Sequence, residues 1–241
     1  MKALFVFISL VFTVISCKNT SNTNEKKFIH QYIVHNTDEE EIVVDGIIDE
    51  PAWQKAKTIS NFILPWEKVK AQPTKFKALY DNRKFFFSFS VVDTEIVLLD
   101  SIKTEEDLIY EDRVEIYFAF DNKLDKPYYC AEIDPKGRLL DYRTTFPRQF
   151  DFAIDWGKIE TAAVITDSGY TVEAAVSLDN MKKLGYKIIG SNTVLNVAVF
   201  RADFEKTEND SIIEHWQAWI NPNVPEPDYH VPSSFGKFVF K

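Results

Sequence analysis

Short runs that alternate apolar with polar residues recur along most of the chain, and a period of two is what a strand with one buried face requires. The pattern is plain in DRVEIYFAFD (112–121), YTVEAAVSL (170–178) and VLNVAVFRAD (194–203). Comparable segments are EIVVDG, FILPW, KFKALYD, KFFFSFSVVD, YYCAEIDP, RLLDYRTT, ETAAVITD, HWQAWIN and KFVFK, most of them bounded by Asp, Asn, Gly or Pro. Helix signals are few. DEPAWQKA (49–56) has a cap residue at Asp49 and Pro51 in its first turn, and SLDNMKKLG (177–185) ends on Gly185, a helix stop. These elements predict an all-β, antiparallel β-sandwich of jelly-roll or immunoglobulin-like type, with one or two short helices. A chain of 241 residues suits one such domain.

The first residues read differently. Lys2 precedes an apolar run, Ala3–Ile15, too short to span a bilayer as a mature helix. It leads into VISC (Val14 to Cys17), which resembles the lipobox of bacterial lipoproteins. That resemblance implies a signal peptide over 1–17, lipidation of Cys17 and attachment to the membrane through the lipid. It implies a place in the cell envelope; at the outer membrane, the lack of a strong acidic run after Cys17 (KNTSN) favours the periplasmic side. Residues 18–40 are read as a polar tether and 41–241 as the domain. Cys130 is then the one cysteine of the mature domain, so no disulfide holds the fold, and it is expected to be a small buried hydrophobe. The net charge of −9 argues against nucleic acid as a partner.

Five segments in order, and a closing strand, resemble family 9 carbohydrate-binding modules. IVVDGIIDEPAWQKA is similar to their opening, and ALYDNRKFFFSFSVVDTEI to their next block. YEDRVEIYFAFD resembles their DD-x-VEIF motif; YYCAEIDPKGRLLD and GYTVEAAVSL follow, and FGKFVF matches the closing strand. The resemblance runs from about Glu41 to Lys241. It implies a β-sandwich that binds an oligosaccharide or polysaccharide, often at a chain end, between two aromatic rings. The second clamp position falls on Tyr229. The first falls on Ile109 with Tyr110 beside it, so the family's tryptophan is missing there, and Trp66 is the substitute from another loop. The motif's acid maps to Glu115. No cofactor is required, but family members carry structural calcium, for which Asp93, Asp112, Asp121 and Asp125 offer hard oxygens.

The residues themselves add to this list. A pyranose presents an apolar C–H face that packs on flat rings, while its hydroxyls want directional partners. Alternation in RVEIYFAF puts Glu115 and Tyr117 on one strand face, near its start, so Glu115 is either a hydroxyl acceptor or a structural carboxylate. Arg201 and Arg143, at strand ends, either bond vicinal hydroxyls or a uronate or pair with local acids. His230 bonds a hydroxyl or caps its loop. Trp216 and Trp219 lie three apart on a strand and so face opposite ways; Trp219 is taken as the ligand-side ring. Trp53 and the Phe85–Phe87–Phe89 face read as core.

No nucleophile elbow, zinc-binding helix or phosphate loop is present in the sequence. A glycoside hydrolase would need two carboxylates across a cleft, with Glu115, Glu132 and Asp134 as the candidates. The remaining alternative is an interaction lipoprotein that has lost its sugar site.

Overall fold

The computed structural model describes residues 30–154, 156–188 and 190–241. The signal segment, Cys17 and most of the tether lie outside these. In chain order the strands are β1 (Gln31–Asn36), β2 (Thr74–Tyr80), β3 (Lys84–Val92), β4 (Arg113–Ala119), β5 (Tyr128–Ile133) and β6 (Leu139–Thr145). There follow β7 (Gln149–Asp151), β8 (Ile159–Thr166), β9 (Gly169–Ser177), β10 (Val194–Lys206), β11 (Ile212–Ala218) and β12 (Gly236–Phe240). Helical structure among the described residues is limited to α1 (Leu178–Lys183) and three short 3-10 turns. Ser177 caps α1 by accepting from the Asn180 N–H, and Gly185 at φ +102° follows its end.

The strands form one curled sheet in the order β7-β6-β5-β4-β10-β12-β1-β2-β3-β9-β8, with β11 on the edge of β10 beyond β12. Folded over, it makes two layers joined at β1. The front layer runs from β7 to β12 and the back layer from β2 to β8. All pairings are antiparallel except those of β1, which runs parallel to both β12 and β2.

That seam corrects the sequence reading of residues 18–40 as tether. Tyr32 and Val34 alternate with polar or half-buried neighbours and are buried in the core, so the domain begins by Gln31. The polar flanks NEKK and TDEEE had masked a strand of only six residues. Conversely, EIVVDG and FILPW form no regular strand; FILPW contributes one isolated bridge, at Ile63, and a second, at Ile59, lies just before it.

Alternation fills the space between the layers with aromatic side chains. Phe89 and Phe85 of β3 meet Phe76, Phe118 and Phe238 in edge-on and tilted contacts, Phe87 stacks on Phe76, and Trp156 packs edge-on against Phe118. On the outer face of the back layer, Leu79, Phe86 and Ala175 are covered by Ile42, Ala52, Trp53 and Ala56. The outer face of the front layer carries a third apolar group built on Tyr117, Tyr128, Cys130, Tyr142, Phe200 and Tyr229. Cys130 is buried there, as expected of a small hydrophobe.

Candidate functional site

The outer face of the front layer holds a cleft of about 650 Å³, within the size range of small-ligand sites. Its floor follows from strand register. Glu115 of β4 stands opposite Glu132 of β5 and Phe200 of β10, and Tyr142 of β6 stands opposite Cys130. Side chains of one parity on each of these strands therefore collect on one surface. Its walls come from elsewhere. Phe150 and Phe152 rise from the β6–β7 hairpin, Tyr110 from the 3-10 turn Glu105–Tyr110, Trp216 from β11 and Trp66 from the loop after Phe62.

Charge at the floor is shared by three buried groups. Arg113 Nε donates to Glu132, and Arg113 Nη2 lies 3.2 Å from Glu115 Oε1. Its Nη1 is spent on the carbonyls of Ile109 and Glu111, at 3.1 Å each. Tyr117 donates to Glu115 Oε2 at 2.5 Å and Tyr142 to Glu132 Oε1 at 2.7 Å. The ion pair leaves Glu115 Oε1 without a hydrogen bond. Burial, reinforced by the charge of Glu132, holds the Glu115 carboxyl well above the ordinary range, against the pull of Arg113 and Tyr117. His230 lies flat on Tyr117, with Nδ1 2.8 Å from the Tyr128 hydroxyl. Burial, with a smaller push from Arg148, lowers its pKa to about 3, so it is a neutral ring.

Of the sequence-derived candidates, the fold brings Trp66, Tyr110, Glu115, Tyr229 and His230 into this cleft. Tyr229 is not held out as a platform. It is 5% exposed, stacked on Phe200 at 3.9 Å between ring centres, and flanked by Trp66 and Trp216. Tyr110, 62% exposed, is the freer ring, at the rim.

Arg143, Arg201 and Trp219 do not line the cleft. Arg143 pairs with Asp151 on β7. Arg201 is fully buried, bonded to Asp93 at 2.8 Å and Asp203 at 2.7 Å. Trp219 packs in the core against Phe238, and Trp216 is the tryptophan that reaches the cleft. Sequence reasoning also missed Arg113, Tyr142, Arg148, Phe150 and Phe152. Glu132 was named there only as a hydrolase candidate. It lies beside Glu115 on one floor, whereas a glycosidase flanks a bond with its two carboxylates. Asp134, the other candidate, is tied to Arg138.

Among the calcium candidates, Asp93 and Asp112 come together with Asp203, their oxygens within 4.8 Å of one another. These three could hold a cation, although their present partners are Arg201 and the backbone N–H groups of Val97 and Phe204. Asp121 instead accepts from the Lys123 N–H in its own turn, and Asp125 is exposed. Beside the cluster lies a second, polar cleft bordered by Glu95, Glu205 and His215. His215 bridges Glu67 at 2.9 Å and Glu205 at 3.5 Å, tying the Trp66 loop to β11 next to Trp216.

These groups set the pH dependence of stability. Burial raises Asp112 to about 7 and Glu173 to about 7, and Glu115 is raised as well. For His215 burial pulls downward, but the bond and charge of Glu67, with Asp203 and Glu205, outweigh it and leave its pKa raised. Unfolded carboxyls titrate near about 4 and imidazole near about 6.5. Between about pH 6.5 and 8 the folded state therefore holds more protons than the unfolded one, and stability falls as pH rises. His230 is neutral in the folded state throughout that window, while its unfolded imidazole is still partly protonated at the lower edge. There and below, His230 acts in the opposite direction, outweighed within the window by the three carboxyls. The expected result is a melting temperature several degrees lower at the alkaline end. A flat or rising Tm would contradict it.

Comparison with known proteins completes the description. The family model for "Carbohydrate family 9 binding domain-like" matches residues 44–241. A crystal structure from Bacteroides uniformis aligns with a TM-score of 0.64 at 14% identity, covering 88% of this chain and 99% of that one. A carbohydrate-binding module of family 9 from Caldicellulosiruptor kristjanssonii, in complex with glucose, aligns with a TM-score of 0.56 at 20% identity, covering 88% and 96%. The cellotriose complex from that organism gives 0.56 at 19%, covering 88% and 94%. No curated protein matches the sequence. At these identities the solved structures establish the sandwich fold.

Proposed function

The chain belongs to the carbohydrate family 9 binding domain-like family, and from that premise we propose that the aromatic cleft of the front layer binds an oligosaccharide or the end of a polysaccharide. The observation that carries this is the pairing of aromatic walls with a hydrogen-bonding lining in one cleft. Flat rings take the apolar C–H faces of a sugar, and the accessible polar lining, Arg148, Glu214 and Asp228, offers directional partners for its hydroxyls. The glucose and cellotriose complexes of the similar modules support a sugar ligand. In this proposal the module is held at an envelope surface through a lipid on Cys17 and contributes to glycan capture.

The test uses both halves of the reading. Titrating neutral oligosaccharides should quench tryptophan fluorescence with no product formed. Trp216→Ala should weaken binding by at least about ten-fold while the domain stays folded, because an anchor ring at the wall is lost. In cells, Cys17→Ser should move the full chain out of the membrane fraction. Unchanged affinity in Trp216→Ala would put the site elsewhere, and a Cys17→Ser protein still in the membrane fraction would remove the anchor.

A further inference from the structure

Every positive group at the cleft is already paired with an acid, and the acids outnumber them. Arg113 serves Glu132, Glu115 and two backbone carbonyls. Arg148 is paired with Asp228 at 3.0 Å and lies over the Phe150 ring. Glu214 stands at the rim beside them. The lining thus holds four carboxyl groups (Glu115, Glu132, Glu214 and Asp228) against two guanidiniums, Arg113 and Arg148. The two arginines read from sequence as partners for a uronate, Arg143 and Arg201, are paired away from the cleft.

Resting on the carbohydrate reading above, we propose that the cleft selects by charge: it takes sugars that offer hydroxyl or ammonium donors to its carboxylates and excludes sugars bearing a carboxylate or sulfate. An anion entering here would lose its hydration and gain a counter-ion only by taking Arg148 from Asp228, which leaves a carboxylate unpaired instead. A hydroxyl loses little, because the carboxylates of Glu214 and Asp228 accept from it. Burial, then the charge of Glu132, raises the Glu115 pKa; with Glu115 protonated, Glu132, Glu214 and Asp228 still outnumber the two guanidiniums. A protonated amine at C2 of a sugar relieves that excess.

The experiment is calorimetry on the intact protein at about pH 6.5 with matched oligosaccharides. Neutral gluco-, galacto- and manno-oligomers are each compared with the counterpart oxidised to the C6 carboxylate, and the best gluco-oligomer with its 2-amino form. The expected result is that the acidic member of each binding pair is at least about ten-fold weaker. Raising the salt should narrow the gap, and the 2-amino form should bind no more weakly than the neutral one. An acidic sugar that binds as tightly as its neutral partner overturns the charge selection and leaves carbohydrate binding standing. If no member of the panel binds, the carbohydrate reading fails and this one with it.

Discussion

Arg113→Ala is expected to destabilise the domain by about 3–5 kcal/mol, the penalty for leaving buried carboxylates without their counter-ion. The guanidinium is 5% exposed and touches both Glu115 and Glu132, which stand side by side across β4 and β5. Its loss also removes a packing surface. The guanidinium carbon lies 5.6 Å from the Trp216 ring centre and 5.7 Å from that of Phe204, so the wall would shift as well as the floor. Urea unfolding measures the first effect and fluorescence titration the second; sugar binding should be lost in Arg113→Ala. A triple variant separates stability from function. Replacing Arg113 by Met and both Glu115 and Glu132 by Leu removes all the buried charge together, which is often nearly neutral for stability. That protein should regain much of the lost stability and still bind no sugar. A single Arg113→Ala change below about 1 kcal/mol would mean water already reaches the triad.

The same strand parity explains what the sequence revealed about the site and what it concealed. Alternation along β4 correctly separated Glu115 and Tyr117 from Val114, Ile116 and Phe118. Applied to β10 it also assigns Arg201 to the face of Val197 and Val199, turned into the core side and away from Phe200. Arg143 likewise shares parity with Leu139, opposite Tyr142, and Trp219 lies on the core side while Trp216 and Ala218 face outward. Arg143 and Arg201 stand out in the sequence for their chemistry at strand ends, where parity excludes them; for Trp216 and Trp219 parity separates the two rings without saying which one faces out. Partners such as Glu132, Tyr142 and Phe150 are a different case. Which strand lies beside β4, and in what register, is a nonlocal property that one sequence does not encode in any short window. The sandwich itself was legible because its periodicity is local. The parallel seam at β1 was not, since six residues flanked by charge resemble a linker.

Glu173→Ala is expected to destabilise by about 3 kcal/mol or more, since three buried or half-buried N–H donors would lose their acceptor at about 1–3 kcal/mol each. Glu173 sits on the outer parity of β9, facing away from Val172 and Ala174, and one carboxylate gathers the opening motif of the domain. Its Oε1 accepts from the Trp53 indole at 2.9 Å, and its Oε2 from the N–H of Gly46 at 2.9 Å and of Asp45 at 3.2 Å. The Asp45–Gly46 turn and Trp53, which reads in sequence as a core residue, are therefore two halves of one latch. Glycine is required at that turn: Gly46 has φ +87°, and a Cβ there would lie 2.9 Å from the Ala163 carbonyl carbon. Because the latch clamps the cover over Leu79, Phe86 and Ala175, its removal should loosen residues 42–56 first. Hydrogen exchange should show protection lost there ahead of β4 and β5. Sugar affinity of the folded fraction should be unchanged, because the cleft lies on the outer face of the other layer. Combining Glu173→Ala with Trp53→Phe should cost clearly less than the sum of the two, as residues sharing one bond do. Additive effects, or protection lost uniformly across both layers, would show that the carboxylate is merely buried and does not hold the cover in place.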